Sequence, residues 1–308
     1  MLDRDIRHLL DTVFNVVPPS SPDVAQLRLA AESAPQRLGG EPVPLAAVID
    51  AHAPGSAGRV PLRAYRPAST TPLALFLYAH GGGWVTGSLD SHDKLCRILA
   101  QRLGAVVLAV DYRCAPEHVY PAALDDVESA WRWANENAVA LGGDGIRFAV
   151  VGDSSGGNLV AALTLRLRAA GARQPSLQLL LYPALDVTCS RASYREFAQG
   201  YNLSGLQMKW YWHTYRGDAA MESPQLSPLA ANDLSSLAPA VIAVAEYDVL
   251  RDDGVDYAQR LQTAGVAVQL IRCDGMIHGF LRWTGAVPAT HRWIGEITAA
   301  SHAALGPV

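Results

Sequence analysis

Val150-Val151-Gly152-Asp153-Ser154-Ser155-Gly156-Gly157-Asn158 is the stretch that orders the rest of the chain. The apolar run Phe148 to Val151 leads into it, and Leu159-Val160-Ala161-Ala162-Leu163 reads as the helix that follows. The pattern predicts a strand-to-helix turn with G-x-S-x-G at its centre, which lifts a serine hydroxyl above the end of a sheet. Glycine at 152 and 156 answers a tight turn in which a Cβ would crowd its neighbours. Ser154 is the candidate nucleophile. The backbone N–H of Ser155, at a helix start, faces where an anion is favoured. A Gly- and Ser-rich turn also serves purely structural ends, so the remaining chain has to supply a base, an acid and an oxyanion hole.

Outward from this turn, apolar runs alternate with helical patterns. Val43 to Ala51 and Val60 to Tyr65 read as a hairpin across Gly55-Ser56-Ala57-Gly58. Leu73 to Ala79, Ala105 to Val110, Leu177 to Leu181, Val241 to Ala245 and Ala267 to Ile271 read as strands, several of them continuous apolar runs that suit burial on both faces. Helical text lies between them, at Ser91 to Gly104, Pro121 to Asn135, Leu159 to Ala170 and Gly254 to Ala264, and closes the chain from about Ala289 to Leu305. Strictly alternating strands and helices predict right-handed crossovers and an α/β fold with a mostly parallel sheet.

Two segments do not fit a sheet. Residues 1–34 read as two helical pieces around a break at Val17-Pro18-Pro19-Ser20-Ser21-Pro22. Residues 188–235 carry aromatic-rich helical text, too long for a connecting loop. Both are expected to form a cap on a catalytic domain of residues 35–187 and 236–308. Tyr194, Phe197, Tyr201, Leu206, Trp210 and Tyr211 are expected to line or close the site beneath it.

Composition excludes several classes. The chain of 308 residues has a net charge of −4 and no basic patch, against nucleic-acid binding. No apolar run approaches the roughly 18 residues of a membrane span. Cys96, Cys114, Cys189 and Cys273 are too scattered for a zinc pattern and are expected to be reduced thiols. The charged first residues, Asp3, Arg4, Asp5 and Arg7 among them, do not read as a signal peptide, so a cytoplasmic location is expected.

A serine hydroxyl needs a base to accept its proton, and the base needs a partner that fixes its tautomer. Chain order Ser, acid, His is available: Asp248 follows one strand and His278 follows the next. Asp252, Asp253 and Glu246 compete with Asp248, with helix N-terminal charge as their ordinary role. His80-Gly81-Gly82-Gly83 can turn backbone amides inward toward a developing oxyanion, and no G-x-x-x-x-G-K-[ST] accompanies it to favour phosphate.

HGGGW, DYRCAPEHVYPAALDD, GDSSGGN, the YDVLRDDG stretch and HGF, in that order, resemble the bacterial branch of the hormone-sensitive-lipase family of α/β-hydrolase carboxylesterases from about Pro61 to the C-terminus. The resemblance implies an α/β-hydrolase fold with a helical cap. It implies Ser154 as nucleophile, His278 as base, Asp248 as acid and an oxyanion hole from the N–H groups of Gly82, Gly83 and Ser155. His80 would support the loop without touching substrate. Cys114 stands where the family usually has Leu, and Ser155 where Ala is common, putting a hydroxyl beside the site. The expected activity is hydrolysis of short to medium acyl esters, with no cofactor or metal; a homodimer stays open. Two alternatives are an amidase or arylformamidase using the same parts, and a non-catalytic small-molecule binder like the plant gibberellin receptors, which have lost the histidine kept here as His278.

Overall fold

The computed structural model describes residues 1–14 and 22–306; most of the proline-rich break, Val17 to Ser21, lies outside them. Helix α1 (Arg4–Thr12) starts where the Asp3 side chain accepts the amides of Asp5 and Ile6. Asp23 caps α2 (Val24–Leu38) in the same way. In each case a carboxylate accepts N–H groups that have no partner within the helix. There follow β1 (Ala47–Gly55), β2 (Gly58–Arg66), β3 (Leu73–Ala79), α3 (Asp93–Leu103), β4 (Ala105–Val110), α4 (Ala122–Asn137), β5 (Gly143–Asp153) and α5 (Ser155–Ala169). The chain continues through β6 (Leu177–Leu181), α6 (Ser193–Glu196), α7 (Gly205–Arg216), β7 (Ala240–Tyr247), α8 (Arg251–Thr263), β8 (Val268–Ile277) and α9 (Ala289–Leu305). No helix among the described residues is long and apolar enough to cross a membrane.

The strands form one sheet in the order β1-β2-β4-β3-β5-β6-β7-β8. The β1–β2 hairpin joins it antiparallel, and β4 through β8 run parallel to β3. Every residue of β3, β4 and β6 is buried. Alternation then divides each strand between two cores. Leu75, Leu77 and Ala79 join the core under α4, α5 and α8. Ala74, Phe76 and Tyr78 face the other way, into the core with α3, α9 and α1. That double covering explains continuous apolar runs that carry no visible period.

The edge strands were harder to read. β1 begins at Ala47 and not Val43, and β8 runs on to Ile277, well past Ile271. The segment around Asp274, beyond the expected strand end at Ile271, is an edge strand whose residues alternate: Arg272 and Asp274 are exposed, Cys273 and Gly275 buried. Its ladder to β7 shifts register between Ala245 and Tyr247, and the Gly275 N–H there donates to Glu246 Oε2 at 2.7 Å. His278 therefore follows the strand end directly, as Asp248 follows Tyr247.

Candidate active site

Ser154 sits between β5 and α5 with φ 55° and ψ −119°, a region that side chains other than glycine rarely occupy. The surroundings hold it there. Its N–H donates to Leu181 O at 2.8 Å, and its carbonyl accepts from Ala184 N at 3.1 Å. A Cβ at Gly152 would collide with the Gly156 carbonyl, and one at Gly156 with the Ala79 carbonyl. The two glycines are thus required by close backbone approach.

The structure brings Ser154, His278 and Asp248 together from the ends of β5, β8 and β7. Ser154 Oγ lies 2.9 Å from His278 Nε2, and His278 Nδ1 lies 2.7 Å from Asp248 Oδ2. An ionised carboxylate can only accept, so Nδ1 carries the proton and Nε2 presents its lone pair to the hydroxyl. Leu250 N donates to Asp248 Oδ1 at 2.9 Å, which fixes the carboxylate plane. The competing acids are occupied elsewhere. Asp252 accepts from Ser193 N and Arg251 Nε. Asp253 accepts the amides of Leu185 and Asp186, and Glu246 that of Gly275.

The glycine loop follows β3 over the same sheet end. Gly82 and Gly83 have φ of 126° and 63°. Neither N–H has a hydrogen-bond partner among the described residues, whereas the Gly82 carbonyl accepts from Val85 N and Thr86 N. Ser155 N opens α5 beside them. The loop is built on a buried carboxylate that the sequence reading passed over. Asp153 Oδ1 accepts from Tyr78 Oη at 2.6 Å and from Gly81 N at 2.8 Å, with His92 Nε2 3.6 Å from Oδ2. Burial alone would raise this carboxyl, but His92 and its other partners hold it well below the usual carboxylate range. Its signal was available, since an acid just after the buried apolar run Phe148 to Val151 must be paired. His80 stacks on Tyr112, and its Nδ1 meets Gly81 O at 2.9 Å. Burial, reinforced by His92, lowers His80 to about 3, so the ring is neutral. The Ser155 hydroxyl is fully buried toward Tyr112, away from the cavity where a hydroxyl was expected.

A cavity of about 210 Å³ opens above Ser154 and His278. Helix α2 lines it with Leu27, Ala30, Ala31 and Ala34, and α7 with Gln207, Met208 and Tyr211. Of the six side chains expected here, Tyr211 alone takes part, lying against Gly83. Tyr194 and Phe197 are buried in the core, and Leu206 is 74% exposed. The rest of α7 docks inward: Trp212 and Tyr215 pack on buried Trp84 with ring centroids 4.3 and 4.5 Å away.

A family profile described as alpha/beta hydrolase fold matches residues 76–282. The chain is 46% identical over 228 residues to the ethyl acetate hydrolase of Pseudomonas putida, covering 72% of each chain. It is 42% identical over 252 residues to the carboxylesterase NlhH of Mycobacterium tuberculosis, covering 80% of this chain and 79% of that one. An ester hydrolase from the metagenome of Lake Arreo, solved with a bipyridine phosphonate derivative, superposes with a TM-score of 0.94 at 36% identity, over 100% of both chains. The chain belongs to the α/β-hydrolase fold family, in the hormone-sensitive-lipase branch that its motifs resemble.

Proposed function

We propose that this protein is a carboxylic ester hydrolase in which Ser154 attacks the ester carbonyl. The observation that carries the reading is the continuous hydrogen-bonded line from Ser154 Oγ through the His278 ring to Asp248. His278 Nε2 takes the serine proton as the C–O bond forms, and Asp248 stabilises the resulting imidazolium. The tetrahedral oxygen gathers negative charge and is held by the N–H groups of Gly82, Gly83 and Ser155. The unengaged Gly82 and Gly83 amides and the helix start at Ser155 support that role. His278 then protonates the leaving alcohol, and water repeats the cycle on the acyl-serine. The activities named for the similar proteins, ethyl acetate hydrolase and carboxylesterase, support an ester as the substrate.

In this reading residues 1–34 and 188–235 form a cap over a catalytic domain of residues 35–187 and 236–308, supported by the single cavity that α2 and α7 share with Ser154. The preferred acyl chains are short to medium. Cavities for drug-sized ligands span roughly 300–1,000 Å³ and a 150 Å³ cavity holds benzene, so about 210 Å³ suits a short chain. The four free thiols support a cytoplasmic setting. The test is a p-nitrophenyl ester series from acetate to palmitate, with a stopped-flow search for an acyl-enzyme burst and an anilide in parallel. Turnover highest between acetate and hexanoate is expected. A maximum at palmitate, or faster cleavage of the anilide, would overturn the substrate assignment.

A further inference from the structure

Arg282 is the one cationic side chain among the described residues that line the Ser154 cavity. It sits on the short turn Phe280–Arg282, directly after His278 and Gly279, and is half-buried. Among the described residues its guanidinium has no ion-pair partner and no hydrogen bond, unlike Arg28, Arg63, Arg113 and Arg166, each held by a carboxylate. Residues 15–21 contain no acidic side chain that could complete it. Asp153, the one carboxylate lining the cavity, is already engaged by Tyr78, the Gly81 amide and His92. The charge of Arg282 nevertheless reaches Asp153, His80 and Tyr211, so it lies close to the oxyanion loop.

A half-buried guanidinium with no protein partner keeps its donors free for a ligand, and its five donors in a planar fork match a carboxylate. Apart from Asp153, the cavity is small and lined by apolar side chains such as Leu27, Met208 and Trp283, with Gln207 and Asn202 as neutral polar groups. Asp153, the one carboxylate on the wall, makes no ion pair with Arg282 and is held by its own partners, which leaves the guanidinium fork open to an anion on the substrate. Resting on the ester-hydrolase reading, we propose that Arg282 is a specificity-determining residue that selects esters carrying a free carboxylate near the scissile carbonyl. The carboxylate can belong to the acyl part, as in the half-ester of a dicarboxylic acid, or to the alcohol part, as in an O-acyl hydroxy acid.

The experiment compares kcat/KM for monoethyl succinate with that for neutral diethyl succinate, and for acetoxyacetate with that for its methyl ester. The charged-to-neutral ratio is measured in the wild-type protein, in Arg282→Gln and in Arg282→Lys, with thermal unfolding followed alongside. In the pair that matches the bound orientation, Arg282→Gln is expected to lower the ratio by about ten- to a hundredfold, as loss of a charged hydrogen bond does. Arg282→Lys should retain part of the preference, and 0.5 M salt should not reproduce the loss. The pair that responds tells which part of the ester carries the carboxylate. Wild-type ratios that both favour the neutral ester, or ratios unchanged in Arg282→Gln, would overturn the inference while leaving ester hydrolysis standing. Absence of turnover on the neutral diesters and p-nitrophenyl esters as well would remove the underlying reading.

Discussion

Ser154 holds a backbone conformation that costs on the order of 1–3 kcal/mol, and it persists because the Leu181 carbonyl and two close glycines over-determine it. Its presence on a turn was legible from G-x-S-x-G. In the sequence, the choice of Asp248 among four acids rested on the family resemblance, and the fold adds that Asp252, Asp253 and Glu246 each hold backbone amides elsewhere. Asp248→Asn is therefore expected to lower kcat by about 10⁴-fold through the wrong histidine tautomer, while Asp252→Asn loses far less. A reversal in steady-state kinetics would reassign the acid. His80 offers a test in pH. Its ordinary value is near 6.5, and burial brings it to about 3 in the fold. Below pH 6.5 the unfolded chain binds a proton that the folded ring refuses, so stability falls as pH drops toward 3. The slope is up to about 1.4 kcal/mol per pH unit for one such group. Thermal melts between pH 6.5 and 4.5 should show a shallower decline for His80→Gln than for the wild type; parallel slopes would mean His80 is not the group responsible.

Among the elements, α2 is anchored at Arg28, with Ser88 Oγ donating to Glu32 and Lys94 Nζ to Pro35 O further along the helix. Arg28 donates to Val85 O at 2.9 Å and Ala115 O at 3.1 Å, and pairs with Glu117 at 2.6 Å. The hydrogen bond from Arg28 pulls Glu117 down to about 2, so the pair is charged throughout the neutral range. The anchor ties α2 to the loop after the glycine turn, next to the side chains that line the cavity. Arg28→Ala is expected to raise KM for hexanoate esters several-fold and for acetate esters less, since the longer chain reaches more of the α2 wall. Equal effects would mean that α2 only stabilises the domain. The helical nature of both segments proposed as the cap was legible, but their inward faces were not. An aromatic residue reads alike whether it lines a cavity or packs a core. Trp212 and Tyr215 go to Trp84, and the cavity takes Met208 and Gln207 instead. The Ser204 hydroxyl and the Gln207 side chain cap the start of α7 reciprocally, setting the phase in which that helix meets the sheet.

At the scale of the whole molecule, the mostly parallel sheet was the most legible feature, because buried strands separated by helices require crossover connections. The C-terminal ends of the strands collect the glycine loop, the serine turn, Asp248 and His278 at the same end of one sheet. What the sequence could not show was extent. β8 is half-exposed and its alternation looks like a polar loop until the ladder to β7 is seen. The central claim is that the molecule positions Ser154 as the nucleophile of ester hydrolysis. Its most direct test is to titrate the protein with diethyl p-nitrophenyl phosphate while following butyrate ester hydrolysis and intact mass. The account predicts one phosphoryl adduct per chain, mapped to Ser154, formed in step with loss of hydrolysis and absent from folded, inactive Ser154→Ala. Hydrolysis that survives full labelling, or persists at a comparable rate in Ser154→Ala, would contradict it.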